Sequence, residues 1–143
     1  LYGAEWKAWR HLIKLLWYSG LRLGEALQLS WDSPPLRIHL DAKPYPLIVI
    51  DAEGQKSRAD SAMPIAPDFH GWLGRTPAEL RTGFLVSVRN GAGKRYPVEK
   101  LSDEVSRIGR EAGILIAPAS ERKKAQHATA HDLRRTFATR WAK

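Results

Sequence analysis

Cysteine is missing from this sequence, methionine occurs once, and no apolar run is long. Without cysteine there are no disulfides and no thiolate metal sites, which fits a reducing compartment. Without a run of about twenty apolar residues, no segment reads as a membrane-spanning helix. The opening "LYGAEWKAWRHL" lacks the charged, apolar and small-residue order of a signal peptide. Internal repeats and low-complexity tracts are absent too. Negative charge is scarce: 15 Asp and Glu stand against 23 Lys and Arg, for a net charge of +8 over 143 residues.

That excess is one-sided. Residues 1–80 hold nine basic and nine acidic residues, and residues 81–143 hold fourteen and six. A basic half favours a polyanionic partner, nucleic acid before membrane, because no amphipathic membrane helix stands out. The plain alternative for such charge is a solvated surface. The length suits one domain with its own core, and 43% hydrophobic with 27% charged residues is an ordinary globular mix. The six tryptophans are expected mostly as core or interface anchors.

Periodicity predicts a mainly α fold with a small antiparallel β-sheet, an α+β class. "EWKAWRHLIKLLWYSG" sets Trp6, Trp9, Ile13, Leu16 and Trp17 at helical spacing and closes on Gly20. "LRLGEALQLSW" spaces Leu23, Leu27 and Trp31 four apart, and "DSPP" stops it. "LRIHL" and "PLIVIDA" read as strands, with "AMPIA" as a returning strand, so the sheet is expected near residues 36–66. "PDFHGWL" reads as a short helix opened by proline, "GFLVSV" as strand or buried turn, and "RNGAGKRYP" as a loop. "VEKLSDEVSRIGREAG" is an amphipathic helix with Val98, Leu101, Val105 and Ile108 on one face. "PASERKKAQHAT" is a polar, mobile segment, and a last helix starts near His131 with Leu133, Phe137 and Trp141 as its buried stripe.

Two short segments carry the chemistry. In "AHDLRRTFATR", His131 and Arg134 are three apart on a helix and project about 60° from one another, as surface neighbours; taken alone, they read as a first-turn histidine and a surface arginine of any amphipathic helix. In "YSGLRLGEALQLSWD", Arg22 follows a Ser-Gly turn and Glu25 lies one turn on. Arg22 with Glu25 reads alone as a surface ion pair. Two guanidiniums and a histidine are also what a phosphodiester requires. The guanidiniums grip non-bridging oxygens and stabilise charge that grows in a pentavalent transition state, and the imidazole moves a proton near neutral pH.

"SGLRLGEALQLSWD" and "HDLRRTFATR" resemble the first and second arginine boxes of the tyrosine recombinases, the phage-type integrases. Their order and separation fit. The intervening "GFLVSVRNGAGKRYPVEKLSDEVSRIGREAGI" is similar to the family segment that leads into the second box. The resemblance runs from about Trp6 to Lys143 and implies a tyrosine-recombinase-like catalytic core. It implies that Arg22 and Arg134 bind the scissile phosphate, that His131 assists as acid or base, and that Glu25 supports the first box. It offers Lys56, in the loop "EGQKSR", as the lysine that protonates the leaving 5′-oxygen. The stretch from Arg58 to "MPI" is longer than is usual in the family. Arg58, Lys123, Lys124 and Arg135 are the expected DNA-contacting cations.

The family's nucleophile is a tyrosine beyond the second box, which forms a 3′-phosphotyrosyl bond. Tyr2, Tyr18, Tyr45 and Tyr96 all precede that box. Residues 1–143 are therefore expected to be a single, partial catalytic domain without the N-terminal DNA-clamping domain and the C-terminal tyrosine segment. The resemblance implies an enzyme of DNA integration and recombination acting on double-stranded DNA, as a homo-tetramer on paired sites, without cofactor, metal or membrane. The fragment alone is expected to be inactive and monomeric, from a cytoplasmic, nucleoid-associated protein of prokaryotic or phage-like type. A type IB topoisomerase shares this architecture but usually carries lysine at the position of His131. Asp51, Glu53 and Lys56 faintly suggest a metal nuclease, and His127 with His131 a metal pair lacking a third ligand. The non-enzymatic alternative is a recombinase-like module that binds DNA or regulates without cutting.

Overall fold

The computed structural model describes residues 5–51 and 61–142. Among them are five α-helices: α1 (Trp6–Ser19), α2 (Leu23–Gln28), α3 (Pro67–Leu73), α4 (Val98–Glu111) and α5 (Ala130–Trp141). Strands β1 (Leu29–Ser30), β2 (Leu36–His39), β3 (Leu47–Ile50) and β4 (Ser61–Pro64) form one sheet, and β5 (Leu115–Ala117) with β6 (Gln126–His127) form a two-stranded ribbon. The class is α+β. The chain divides into two compact units, one holding the residues up to Leu23 and from Val88 onward, the other Gly24–Ser87.

The first unit is helical. α1 buries Trp9, Leu12, Leu15 and Leu16, a stripe with the 3.6-residue repeat of a helix that faces a core on one side. α4 adds Leu101, Val105 and Gly109. Gly109 is required by packing, because a Cβ there would run into the Ala128 carbonyl oxygen. Val98, placed by its spacing on the buried face, is 41% exposed, since it opens the helix beyond its contacts.

The second unit is built on the sheet, in the order β1-β2-β3-β4. β2–β3 and β3–β4 are antiparallel, with Ile38 opposite Ile48 and Ile48 opposite Met63. β1 pairs parallel to β2, Leu29 opposite Leu36, so the sheet is not purely antiparallel. The helical spacing of Leu23, Leu27 and Trp31 does not continue as a helix. α2 ends at Gln28, and Leu29 and Ser30 turn into the sheet, both fully buried. A serine at that point assists the break, which the pairing of Leu29 with Leu36 and of Ser30 with Gly83 completes. Ser30 Oγ accepts the N–H groups of Asp32 (3.2 Å) and Ser33 (3.1 Å), folding the chain into a turn that competes with helix.

Three further expectations change. Of the six tryptophans only Trp9 is buried, while Trp6 is 46% and Trp141 43% exposed. "GFLVSV" forms no named strand; Phe84 bridges Ser30, and Leu85 donates its N–H to the Leu29 carbonyl at 3.1 Å. The polar segment after Ala117 contains β6, paired with β5 from Gln126 to Ala117 and from His127 to Leu115. No helix among the described residues is long and apolar enough to cross a membrane.

Candidate functional site

α1 ends in a left-handed cap. Gly20 takes φ 69° and ψ 9°, and its N–H returns to the Leu16 carbonyl at 3.3 Å. The next two residues are set by burial: Leu21 is 2% exposed, and its N–H donates to Ser19 Oγ (3.2 Å), itself 4% exposed. With Ser19 and Leu21 held inside, Arg22 emerges exposed beyond the turn.

α5 is started by a capping box. The Asp132 carboxylate accepts the Thr129 N–H (3.0 Å) and hydroxyl (2.8 Å), so the first turn of the helix is tied to the residue before it. His131 lies exposed in that first turn, and Arg134, one turn on, is half-buried. Arg135 is exposed and 3.9 Å from Asp132, a weak surface pairing.

Two contacts dock α5 on the end of α1. The Phe137 ring lies directly against Gly20, where a Cβ would collide with it. Arg140 donates to the Trp17 carbonyl at 2.6 Å and stacks 4.1 Å from the centroid of the Trp17 ring. A cation at that carbonyl also suits the negative end of α1. Arg134 stands one turn before Phe137, about 4.5 Å along the axis. Arg22 stands two residues after Gly20, at most about 7 Å of chain. The Phe137–Gly20 contact thus sets the segment carrying Arg22 beside the segment carrying His131 and Arg134, within one unit. Such an arrangement gathers two guanidiniums and an imidazole on neighbouring segments, the set of groups that a tetrahedral anion needs.

The stripe expected on α5 is not a buried one. Leu133 and Phe137 are half-buried, Trp141 is exposed, and Ala130 alone is fully buried. α5 packs on α1, with Phe137 on Gly20 and Arg140 on Trp17, and also touches α4, without a broad buried apolar stripe. Phe137 as the glycine's partner and Arg140 as the anchor were not legible as such, although the arginine's place in the last turn is a signal for carbonyl capping. The Thr129-x-x-Asp132 capping box was missed as well, although its spacing is a helix-start signal.

The other candidate residues are more scattered. Glu25 lies half-buried in the first turn of α2, in the sheet unit. Lys56 and Arg58 lie outside the described residues, as does Glu53. Lys123 and Lys124 are exposed, Lys123 in a turn closed by the Ser120 N–H to Lys123 carbonyl bond of 2.9 Å. Asp51 meets Arg37 at 3.4 Å, so this carboxylate of the suggested metal-nuclease cluster has a cationic partner in the sheet. No three His, Cys, Asp or Glu side chains group as a metal site among the described residues.

Comparison with protein-family models, curated proteins and solved structures finds no match.

Proposed function

We propose that this chain is the catalytic domain of a site-specific DNA recombinase of the tyrosine type, which breaks and rejoins DNA strands through a 3′-phosphotyrosyl intermediate. The observation that supports it best is the docking of α5 on the Gly20 turn, through Phe137, which sets the Arg22 and His131–Arg134 segments side by side. In this reading Arg22 and Arg134 hold the non-bridging oxygens of the scissile phosphate and gain strength as charge develops on them. His131 exchanges a proton with the phosphate or the attacking group. Lys56 gives its proton to the leaving 5′-oxygen. In this reading the attacking tyrosine is none of Tyr2, Tyr18, Tyr45 and Tyr96, which all precede the second arginine segment. The basic excess after residue 80 supports duplex DNA as the partner.

The test incubates the full-length gene product with a nicked duplex carrying its site and looks for a protein–DNA band that survives denaturant. The expected result is an adduct in wild type whose formation His131→Ala reduces and Arg134→Ala slows more strongly. Tight binding to that site with no adduct would replace this reading with a DNA-binding module that cuts nothing.

A further inference from the structure

Between Glu79 and Glu99 the sequence contains Arg81, Arg89, Lys94 and Arg95 and no acid. Three of these cations lie on a hairpin, residues 89–95, whose shape is fixed by Asn90. The Asn90 side-chain oxygen accepts the N–H groups of Ala92 (2.9 Å) and Lys94 (3.0 Å). Its backbone N–H donates to the Lys94 carbonyl (2.8 Å), and its carbonyl accepts from Gly93 (2.9 Å). Gly93 takes φ 79°, a conformation that other residues resist.

Arg89 and Arg95 pair across this hairpin as antiparallel bridge partners, and both are exposed. Directly opposed residues project to the same face of a two-stranded ribbon, and like charges there repel. A phosphate set between two such guanidiniums can accept a charge-assisted hydrogen bond from each. One Arg89 N–H already donates to the Gly93 carbonyl at 2.8 Å, which fixes the direction of a planar, five-donor group. A rigid hairpin also has little freedom left to lose on binding.

The hairpin's place on α1 gives it a reach. Tyr96, which follows Arg95, donates its N–H to the Val88 carbonyl at 3.3 Å, and its ring packs 5.7 Å from that of Trp9. Trp9 and Gly20 are eleven residues apart, so they project within about 20° of each other and stand about 16 Å apart along α1. Tyr96 and Phe137 therefore meet the same side of one helix, near its two ends.

We propose that the hairpin 89–95 is a second phosphate-binding element, in which Arg89 and Arg95 grip the DNA backbone at a phosphate separate from the one held by Arg22 and Arg134. The inference rests on the DNA-directed reading above. Its test is the salt dependence of binding to a duplex about two helical turns long, with phosphate-ethylation interference on the same duplex. The double variant Arg89→Gln, Arg95→Gln is expected to lower the slope of log K against log salt by about 2 and to erase one patch of interference. Arg89→Lys with Arg95→Lys is expected to keep most of the slope, because charge is retained. A loss in the lysine variant as large as in the glutamine variant would mark a merely structural role and overturn the inference. An unchanged slope in the glutamine variant, with a reduced slope in Arg22→Gln or Arg134→Gln, would overturn the hairpin's role and leave the recombinase reading standing. Failure of the wild-type chain to bind duplex at low salt would overturn both.

Discussion

The two units of this chain are held together by different means. The sheet unit is fastened by its backbone: strand ladders, plus a knot of short polar bonds in which Asp32 Oδ1 accepts the Gly83 N–H (3.1 Å) and the Ser33 hydroxyl (3.1 Å). The Trp31 N–H closes the same knot on the Gly83 carbonyl at 2.9 Å. The helical unit, which carries Arg22, His131 and Arg134, relies at its candidate site on side-chain fit: a phenylalanine ring on a glycine, and an arginine on a tryptophan. Backbone ladders tolerate many side chains. A ring seated on a glycine tolerates almost none, so single substitutions should be felt far more at the candidate site than in the sheet.

That contrast can be broken in graded steps. The largest effect is chemical. In the full-length protein Arg134→Ala is expected to slow cleavage on the order of 10²–10³-fold or more, by removing transition-state charge stabilisation, measured as single-turnover adduct formation. Near-normal cleavage would detach Arg134 from the phosphate. Next comes Gly20→Ala, which forces a left-handed residue to carry a Cβ into the Phe137 ring. Its expected cost is about 2–4 kcal/mol in urea unfolding, with DNA affinity falling alongside. A neutral outcome would mean that α5 does not depend on this seat. Arg140→Met keeps the aliphatic stem and removes the charge over Trp17, at an expected cost of about 1–2 kcal/mol.

The smallest effect belongs to the sheet unit. The Gly83 N–H, followed by the Ser33 hydroxyl, holds the Asp32 carboxyl below the usual carboxylate range. A lowered pKa in the folded state means stability that is present above the ordinary value and lost as pH falls through the folded one. Protection of the Gly83 amide, its exchange measured relative to the intrinsic rate at each pH, should therefore fall below about pH 4 in wild type. Asp32→Asn should flatten that acid dependence, and a variant that still tracks wild type would dissociate it from Asp32.

Much of the architecture was legible before the structure. The helix α1, the proline that opens α3, and the apolar runs and turn residues around β2–β4 follow from local rules, and the structure contains each element, although of the stripe expected on α1 only Trp9 and Leu16 are buried and Leu12 and Leu15 complete it. What was not legible depended on distant partners. Leu23, Leu27 and Trp31 keep helical spacing, yet Leu29 and Ser30 leave the helix because Leu36 and Gly83 are there to pair with them. Leu133, Phe137 and Trp141 also keep helical spacing, but spacing alone does not distinguish a stripe buried along its length from one ring seated on a glycine. At the candidate site, the two arginine segments were recognisable one by one. Their meeting at one phosphate was implied only by the resemblance, and the contacts that bring the segments together, at Gly20 and Trp17, appear only once α5 is in place.

The central claim is that Arg22 and Arg134 serve one phosphate. A double-mutant cycle for duplex binding, with Arg22→Ala, Arg134→Ala and the pair at fixed low salt, tests it most directly. Groups that share a ligand couple, and the account predicts an interaction energy of about 0.5–3 kcal/mol, with the double variant losing less than the sum of the singles. Losses that simply add would place the two arginines on separate phosphates and contradict it.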